Sequence, residues 1–211
     1  RTVTGYTYNA AHTDAVSSIT FSGEEAGEMV LKLYYDIHVA DYTVEHYFEK
    51  LDGSGYDKTE TEGPFDIIFG QVKKADGYAK TVEGFTYDKT VSGSVAQITY
   101  DDEPFTNNVL KLYYTRNETT FEIQHFYQNL DGSFNRAADE TVDGGAFRYG
   151  ETKNASDYVN TGKIGFTYDA GIDGPIASIS YLTAEPTGRV LKLYYTRNAT
   201  TFEIQHYYQN L

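Results

Sequence analysis

The nine residues Val109-Leu-Lys-Leu-Tyr-Tyr-Thr-Arg-Asn117 return unchanged as Val190 to Asn198, 81 residues on, and six of them stand 79 residues upstream as Val30-Leu-Lys-Leu-Tyr-Tyr35. A period this long and this regular means that one supersecondary unit is copied along the chain. Three further markers keep the same order. Gly84-Phe-Thr-Tyr-Asp88 is echoed by Gly165-Phe-Thr-Tyr-Asp169 and by Gly5-Tyr-Thr-Tyr-Asn9. Ser18-Ile-Thr-Phe21, Gln97-Ile-Thr-Tyr100 and Ser178-Ile-Ser-Tyr181 follow them. Each unit opens on His46-Tyr-Phe-Glu-Lys-Leu-Asp-Gly53 or His125-Phe-Tyr-Gln-Asn-Leu-Asp-Gly132, and the marker starts again at His206. The markers divide the chain into residues 1–37, the second half of a repeat; 42–117 and 120–198, two complete repeats; and 201–211, the first strand of another. The ends fall inside repeats, so a parent chain running on at both sides is expected.

Within a unit the apolar residues alternate with a period of two, which is the signature of half-buried strands. Val44, His46 and Phe48 share one face of the opening strand, and Ile123, His125 and Tyr127 share it in the next copy. Asp52-Gly53 and Asp131-Gly132 are hairpin signals leading into second strands near Lys58–Glu62 and Ala138–Val142. Gln71–Tyr78 and Glu151–Tyr158 carry Lys, Ala and Asp without alternation, and there a short helix or turn is expected. In the closing strand Leu110, Leu112 and Tyr114 face the core, while Lys111 and Tyr113 face out. The expected fold class is therefore α+β and strand-dominated: tandem repeats of about eighty residues, each of about five strands with one short helix. The links Thr115–Thr120 and Thr196–Thr201 are short and lack Gly and Pro, which keeps neighbouring repeats close.

Composition bounds the partners. With 21 Tyr and 12 Phe against one Met and no Trp, the chain favours pleated surfaces. Cysteine is absent, which excludes disulfide, zinc-thiolate and thiol chemistry. A formal net charge of −14 repels phosphate backbones and anionic lipid, so neither nucleic acid nor an inserted membrane segment is an expected partner. No apolar run is long enough to span a bilayer.

The candidate chemistry is sparse. The recurring His46, His125 and His206 lie in an apolar row and read as core residues rather than as metal ligands or general bases. His12 and His38 have no partner at a meaningful spacing. Asp101-Asp102-Glu103 reads as a solvated loop, and Asp52-Gly-Ser-Gly-Tyr-Asp57 lacks the spaced acidic ligands of a calcium loop. There is no phosphate cradle and no nucleophile elbow. No enzyme, metal or cofactor is expected. The outward aromatics Tyr47, Phe126, Tyr113 and Tyr194 are the candidate binding residues, because aromatic faces stack on sugars and anchor interfaces. The alternative for them is cross-strand pairing that stabilises the sheet.

The strands Val44–Gly53, Gly84–Tyr87 and Val109–Tyr114, with their copies Ile123–Gly132, Gly165–Tyr168 and Val190–Tyr195, resemble the mucin-binding-type repeats of Gram-positive surface adhesins. That resemblance implies a β-grasp-like fold, an extracellular parent chain attached to the cell wall, and adhesion to host glycoprotein or glycan. The expected function is a non-catalytic adhesin or stalk segment. A rival is a self-assembling filament subunit. In it Phe202, Ile204, His206 and Tyr208 form a strand that completes the partial first repeat of a neighbour.

Overall fold

The computed structural model describes residues 1–23, 29–172, 174, 176–182 and 188–209. Its strands are β1 (Tyr6–Tyr8), β2 (Tyr35–Ile37), β3 (Val39–Glu49), β4 (Tyr56–Ile68), β5 (Val72–Lys74), β6 (Phe85–Tyr87) and β7 (Gln97–Thr99). They continue as β8 (Val109–Arg116), β9 (Glu118–Tyr127), β10 (Glu140–Arg148), β11 (Thr152–Asn154), β12 (Phe166–Tyr168), β13 (Ser178–Ser180) and β14 (Val190–Arg197). The chain divides into two compact units. The first holds Arg1–Val82 with Thr86–Thr115, and the second holds Glu83–Phe85 with Arg116–Leu211.

Each unit is built on a four-stranded mixed sheet, in the order β4-β3-β8-β6 in the first and β10-β9-β14-β12 in the second. The opening and closing strands of each repeat are its two central strands and run parallel. Thr43↔Val109 to Phe48↔Tyr114 pair in the first unit, and Glu122↔Val190 to Tyr127↔Tyr195 in the second. The antiparallel hairpins β3–β4 and β9–β10 flank them. Their turns are set by Asp52 and Asp131, whose side chains accept hydrogen bonds from the Ser54 and Ser133 amides at 2.9 and 3.0 Å. The two-stranded sheets β5–β7 and β11–β13 complete the units.

The helix expected in each repeat is not there. The structure is 45% strand and 4% helical, which corrects the α+β, β-grasp-like class with one helix per repeat. Lys73 and Lys74 of the first expected helix belong to β5, and only the four-residue 3₁₀ turn Ala75–Tyr78 follows; Ala155–Tyr158 is its twin. The cause is local. Ala75 and Ala155 are the only buried residues of these turns, and neither turn has a side-chain N-cap. One buried methyl and no cap cannot offset the cost of nucleating a longer helix. Among the described residues each repeat also carries six strands rather than five, because β5 and β11 are strands.

The core follows the alternation. Leu110, Leu112 and Tyr114 are fully buried, as are Leu191, Leu193 and Tyr195, and Val44 lies beside the first set. Each such leucine contributes about 1.5–3 kcal/mol by leaving water. In residues 1–37, β1 pairs with β2, and Val16 bridges Lys32 as Val95 bridges Lys111 and Ile176 bridges Lys192. Here the same apolar positions are open: Leu31 and Leu33 are 50% and 52% exposed.

Candidate functional site

The outward aromatics come together in pairs set by the parallel register. Tyr47 faces Tyr113 across β3 and β8, and Phe126 faces Tyr194 across β9 and β14. In both pairs the rings stack at 4.7 Å between centroids with 12° between planes. A third ring closes each stack edge-on: Tyr56 lies 5.1 Å from Tyr113, and Phe134 lies 5.1 Å from Tyr194. Tyr113, Tyr194 and Tyr47 are half-buried, whereas Phe126 is buried at 3%. Phe126 therefore presents no free face, and Tyr194 is the ring of that pair left to meet a ligand. Tyr47 also donates to Glu45 at 2.6 Å, and that bond with its burial pushes the phenol up to about 12. Glu45 is in turn paired with Lys58 at 2.9 Å, and its counterpart in the second copy is Gln124. Each trio satisfies the alternative reading, cross-strand stacking, while leaving part of one tyrosine in water.

The histidines sit inside, as the apolar row implies, but with polar partners that the spacing does not reveal. His46 is fully buried and its Nδ1 lies 3.0 Å from the Tyr114 hydroxyl; His125 lies 2.9 Å from that of Tyr195. Each phenol also accepts a backbone N–H, from Lys80 at 3.0 Å and from Asn160 at 2.9 Å. We assign the phenol proton to Nδ1, the arrangement that uses the hydroxyl both as donor and as acceptor; the imidazole proton is then on Nε2 and the ring is neutral. This chain of bonds ties the segment after each 3₁₀ turn to the central sheet. Its surroundings differ between copies. In the first, His46 Nε2 stands 3.2 Å from Glu62, off the line of a hydrogen bond, and Lys80 binds Glu60 and Glu62 at 2.6 Å each. In the second, Val142 and Asn160 replace Glu62 and Lys80, and the Tyr127 hydroxyl donates to Glu140 at 3.2 Å.

Burial pushes both His46 and His125 below the ordinary histidine range; at His46 Lys80 adds to the effect while Glu62 and Glu60 oppose it, and at His125 Glu140 opposes it. The unfolded chain therefore takes up protons that the folded chain refuses once the pH falls below about 6.5. The stability these rings contribute is full above that value and is lost as the pH falls toward their folded pKa. Thermal melts from neutral to mildly acid pH are expected to show a falling midpoint. Carboxylates titrate lower, at about 4, and do not account for that window. A midpoint that holds or rises there contradicts the neutral, buried assignment.

Two other histidines correct the sequence reading, which left them without partners. His38 bonds Thr7 Oγ1 at 2.7 Å through Nε2 and binds Glu103 through Nδ1. His12 stacks on Tyr34 at 3.8 Å with 7° between planes. Glu103 also accepts from Tyr100 at 2.7 Å, and these two bonds hold its carboxyl below the usual range. Asp101–Glu103 is the exposed loop the sequence reading gave, with Glu103 bonded within it. Partners 65 residues apart were hidden from any local spacing.

Residues 201–209 form no strand, in contrast to the sequence reading, and Asn210 and Leu211 lie outside the described residues. Phe202, Ile204 and Tyr208 are 84%, 65% and 87% exposed, and His206 is exposed too. Among the described residues no group of three or more His, Asp or Glu could hold a metal, and no helix is long and apolar enough to cross a membrane. No protein-family model matches the chain, and no curated protein sequence is significantly similar to it.

Proposed function

We propose that the chain is a non-catalytic segment of an extracellular repeat array, an adhesin or stalk that binds host glycoprotein or holds a binding tip away from a cell surface. The observation that supports it is the aromatic trio repeated at one register. Tyr47, Tyr113 and Tyr56 in one copy, and Phe126, Tyr194 and Phe134 in the other, offer a flat partly exposed ring at the same place in each repeat. Rings held in place by neighbours stack on sugars at little cost in side-chain entropy. The connection also suits a stalk, since Asn117 alone separates β8 from β9.

Binding of the whole chain to purified mucin and to a glycan array tests the adhesive role. Tyr113→Ala together with Tyr194→Ala is expected to weaken binding roughly five- to 150-fold while the fold is retained, because a ring contact is worth about 0.5–1.5 kcal/mol at each of two places. Circular dichroism of the variant shows that the sheet survives. Absence of binding by the unmodified chain removes the adhesive role and leaves spacing. Binding that the double variant keeps removes the rings from it.

A further inference from the structure

β7 and β8 meet as a hairpin at one residue pair and then part. Val95 N donates to Lys111 O at 3.1 Å, and Lys111 N to Val95 O at 3.2 Å. An antiparallel ladder continued from that pair would set Gln97 against Val109 and Thr99 against Asn107. Among the described residues no backbone bond joins either pair. β7 turns instead to β5, and β8 to β3. Between them lies a cleft of about 560 Å³, closed at one end by the Val95–Lys111 bridge and at the other by Asp101, Thr106 and Asn107. The second repeat splits in the same way. Lys192 N donates to Ile176 O at 3.3 Å, and beyond that bond Ser178, Ser180, Gly188 and Arg189 line a cleft of about 350 Å³.

Both walls of the first cleft are strand edges. Ala75 N donates to Ala96 O at 2.8 Å and Tyr100 N to Gln71 O at 3.1 Å, so by alternation Ile98 is the β7 residue that bonds Lys73. The N–H and C=O of Gln97 and Thr99 therefore point away from β5 and into the cleft. On the facing wall Thr43 N of β3 takes Asn108 O at 2.9 Å, so Val109, like Lys111, turns its main-chain groups toward β7. Such groups recur at every second residue, about 7 Å apart, which is the repeat of a peptide strand. No lining residue is aromatic, so the cleft gives a sugar no ring to stack on. The loop end is acidic. Asp101 and Asp102 are exposed, and among the described residues neither is in a salt bridge. With a net charge of −14 on the whole chain, that end favours a cationic guest.

We propose that the β7–β8 cleft takes an extended, basic peptide segment of a partner protein. The guest backbone bonds Gln97 and Thr99 on one side and Val109 on the other, and a lysine or arginine at its end lies beside Asp101 and Asp102. Main-chain bonding of this kind is how a strand is added at an open sheet edge. The three residues of β7 span about 10 Å, so the cleft holds about three residues of guest. In the second repeat Ser178, Ser180 and Val190 stand in the same places, but Leu182 replaces Asp101, and the preference for a basic end is absent there. This site reads main chain, whereas the ring trio reads a flat apolar face, so it goes beyond the adhesive role proposed above.

Titration of the isotope-labelled whole chain with the blocked peptide acetyl-Lys-Thr-Val-Thr-Val-Lys-amide, followed by the protein's amide resonances, tests the proposal. The Gln97, Thr99 and Val109 amides are expected to shift together and to saturate. An analogue N-methylated at two central residues loses one donor to each wall and is expected to bind about five- to 150-fold more weakly. A sibling with glutamate at both ends is expected to bind the first cleft about two- to tenfold more weakly and to lose nothing at the second. Gln97→Pro removes a cleft donor at the first residue of β7, where no ladder bond is lost, and is expected to weaken binding about two- to twelvefold. Should that variant fail to fold, Asp101→Lys, which lies outside every strand, is expected to abolish the preference for lysine ends. Absence of binding up to millimolar peptide overturns the proposal. So does binding that N-methylation leaves unchanged, or a lysine preference that Asp101→Lys leaves unchanged. Cleft amides that respond to glycans and not to the peptide give the site to sugar and overturn it too. The peptide carries no sugar, so this result and the mucin result can fail separately.

Discussion

Leu193→Ala is expected to cost the second unit about 2–5 kcal/mol, while Leu33→Ala costs the first under about 1 kcal/mol, although the two leucines occupy the same place in the repeat. Leu193 is fully buried and faces His125 across the parallel pair. Truncation removes its transfer energy and leaves a hole that the β9–β14 ladder prevents from closing. Leu33 is 52% exposed and has less to lose. Denaturant melts of both variants give the comparison. Equal losses would mean that the central strand of the second unit is not closed by β9.

The second large effect is expected at Gly84. Its φ is +76°, in the left-handed region, and an added Cβ would meet the Tyr149 ring at 2.1 Å, both residues lying in the second unit. The ring cannot swing away cheaply, because it packs edge-on against Phe85 at 5.9 Å and Tyr181 at 5.5 Å between centroids. The backbone beneath it is held as well: Asn117 N donates to Gly84 O at 2.8 Å, Tyr149 N to Asn117 O at 2.9 Å, and Arg116 Nη1 to Tyr149 O at 2.9 Å. Gly165 offers the control: its φ is +83°, Asn198 donates to its carbonyl at 2.9 Å, and open space surrounds its Cβ position. Both alanine variants carry the left-handed strain of about 1–2 kcal/mol. Gly84→Ala adds overpacking of about 1–3 kcal/mol more. The difference between the two melts isolates the ring contact, and its absence would mean that Tyr149 does not lie over Gly84. Gly5 repeats the arrangement in the first unit, with Phe69 at 2.2 Å.

Much of this was legible in the chain because it is local. Period-two alternation placed the strands, Asp-Gly placed the hairpin turns, and the apolar row put His46 and His125 inside. What was hidden is contact across the repeat. The Tyr114 hydroxyl that holds His46 is 68 residues away, and alternation alone marks Tyr114 as core without naming its partner. The expected helix failed for a related reason. Val72–Lys74 shows no alternation because it is three residues long, and what makes it a strand is β7, some twenty-five residues later. Phe126 was read as outward from parity, but it is buried, with Tyr194 stacked on it. A parity argument assigns a face; it does not say how much of that face is left in water.

The placement of the first and last strands of each repeat side by side has a mechanical consequence. β9 begins its repeat and β14 ends it, and six residue pairs join them in parallel. Tension applied through the chain at those two ends draws the strands past each other along their length. The ladder is then loaded in shear, and its bonds must give way together instead of opening one after another from an end. Resistance to such a pull is set by the rate of that concerted step and not by equilibrium stability. β3 and β8 repeat the clamp in the first unit. A chain strung from such repeats would carry load repeat by repeat, each locked by the strands through which it is pulled.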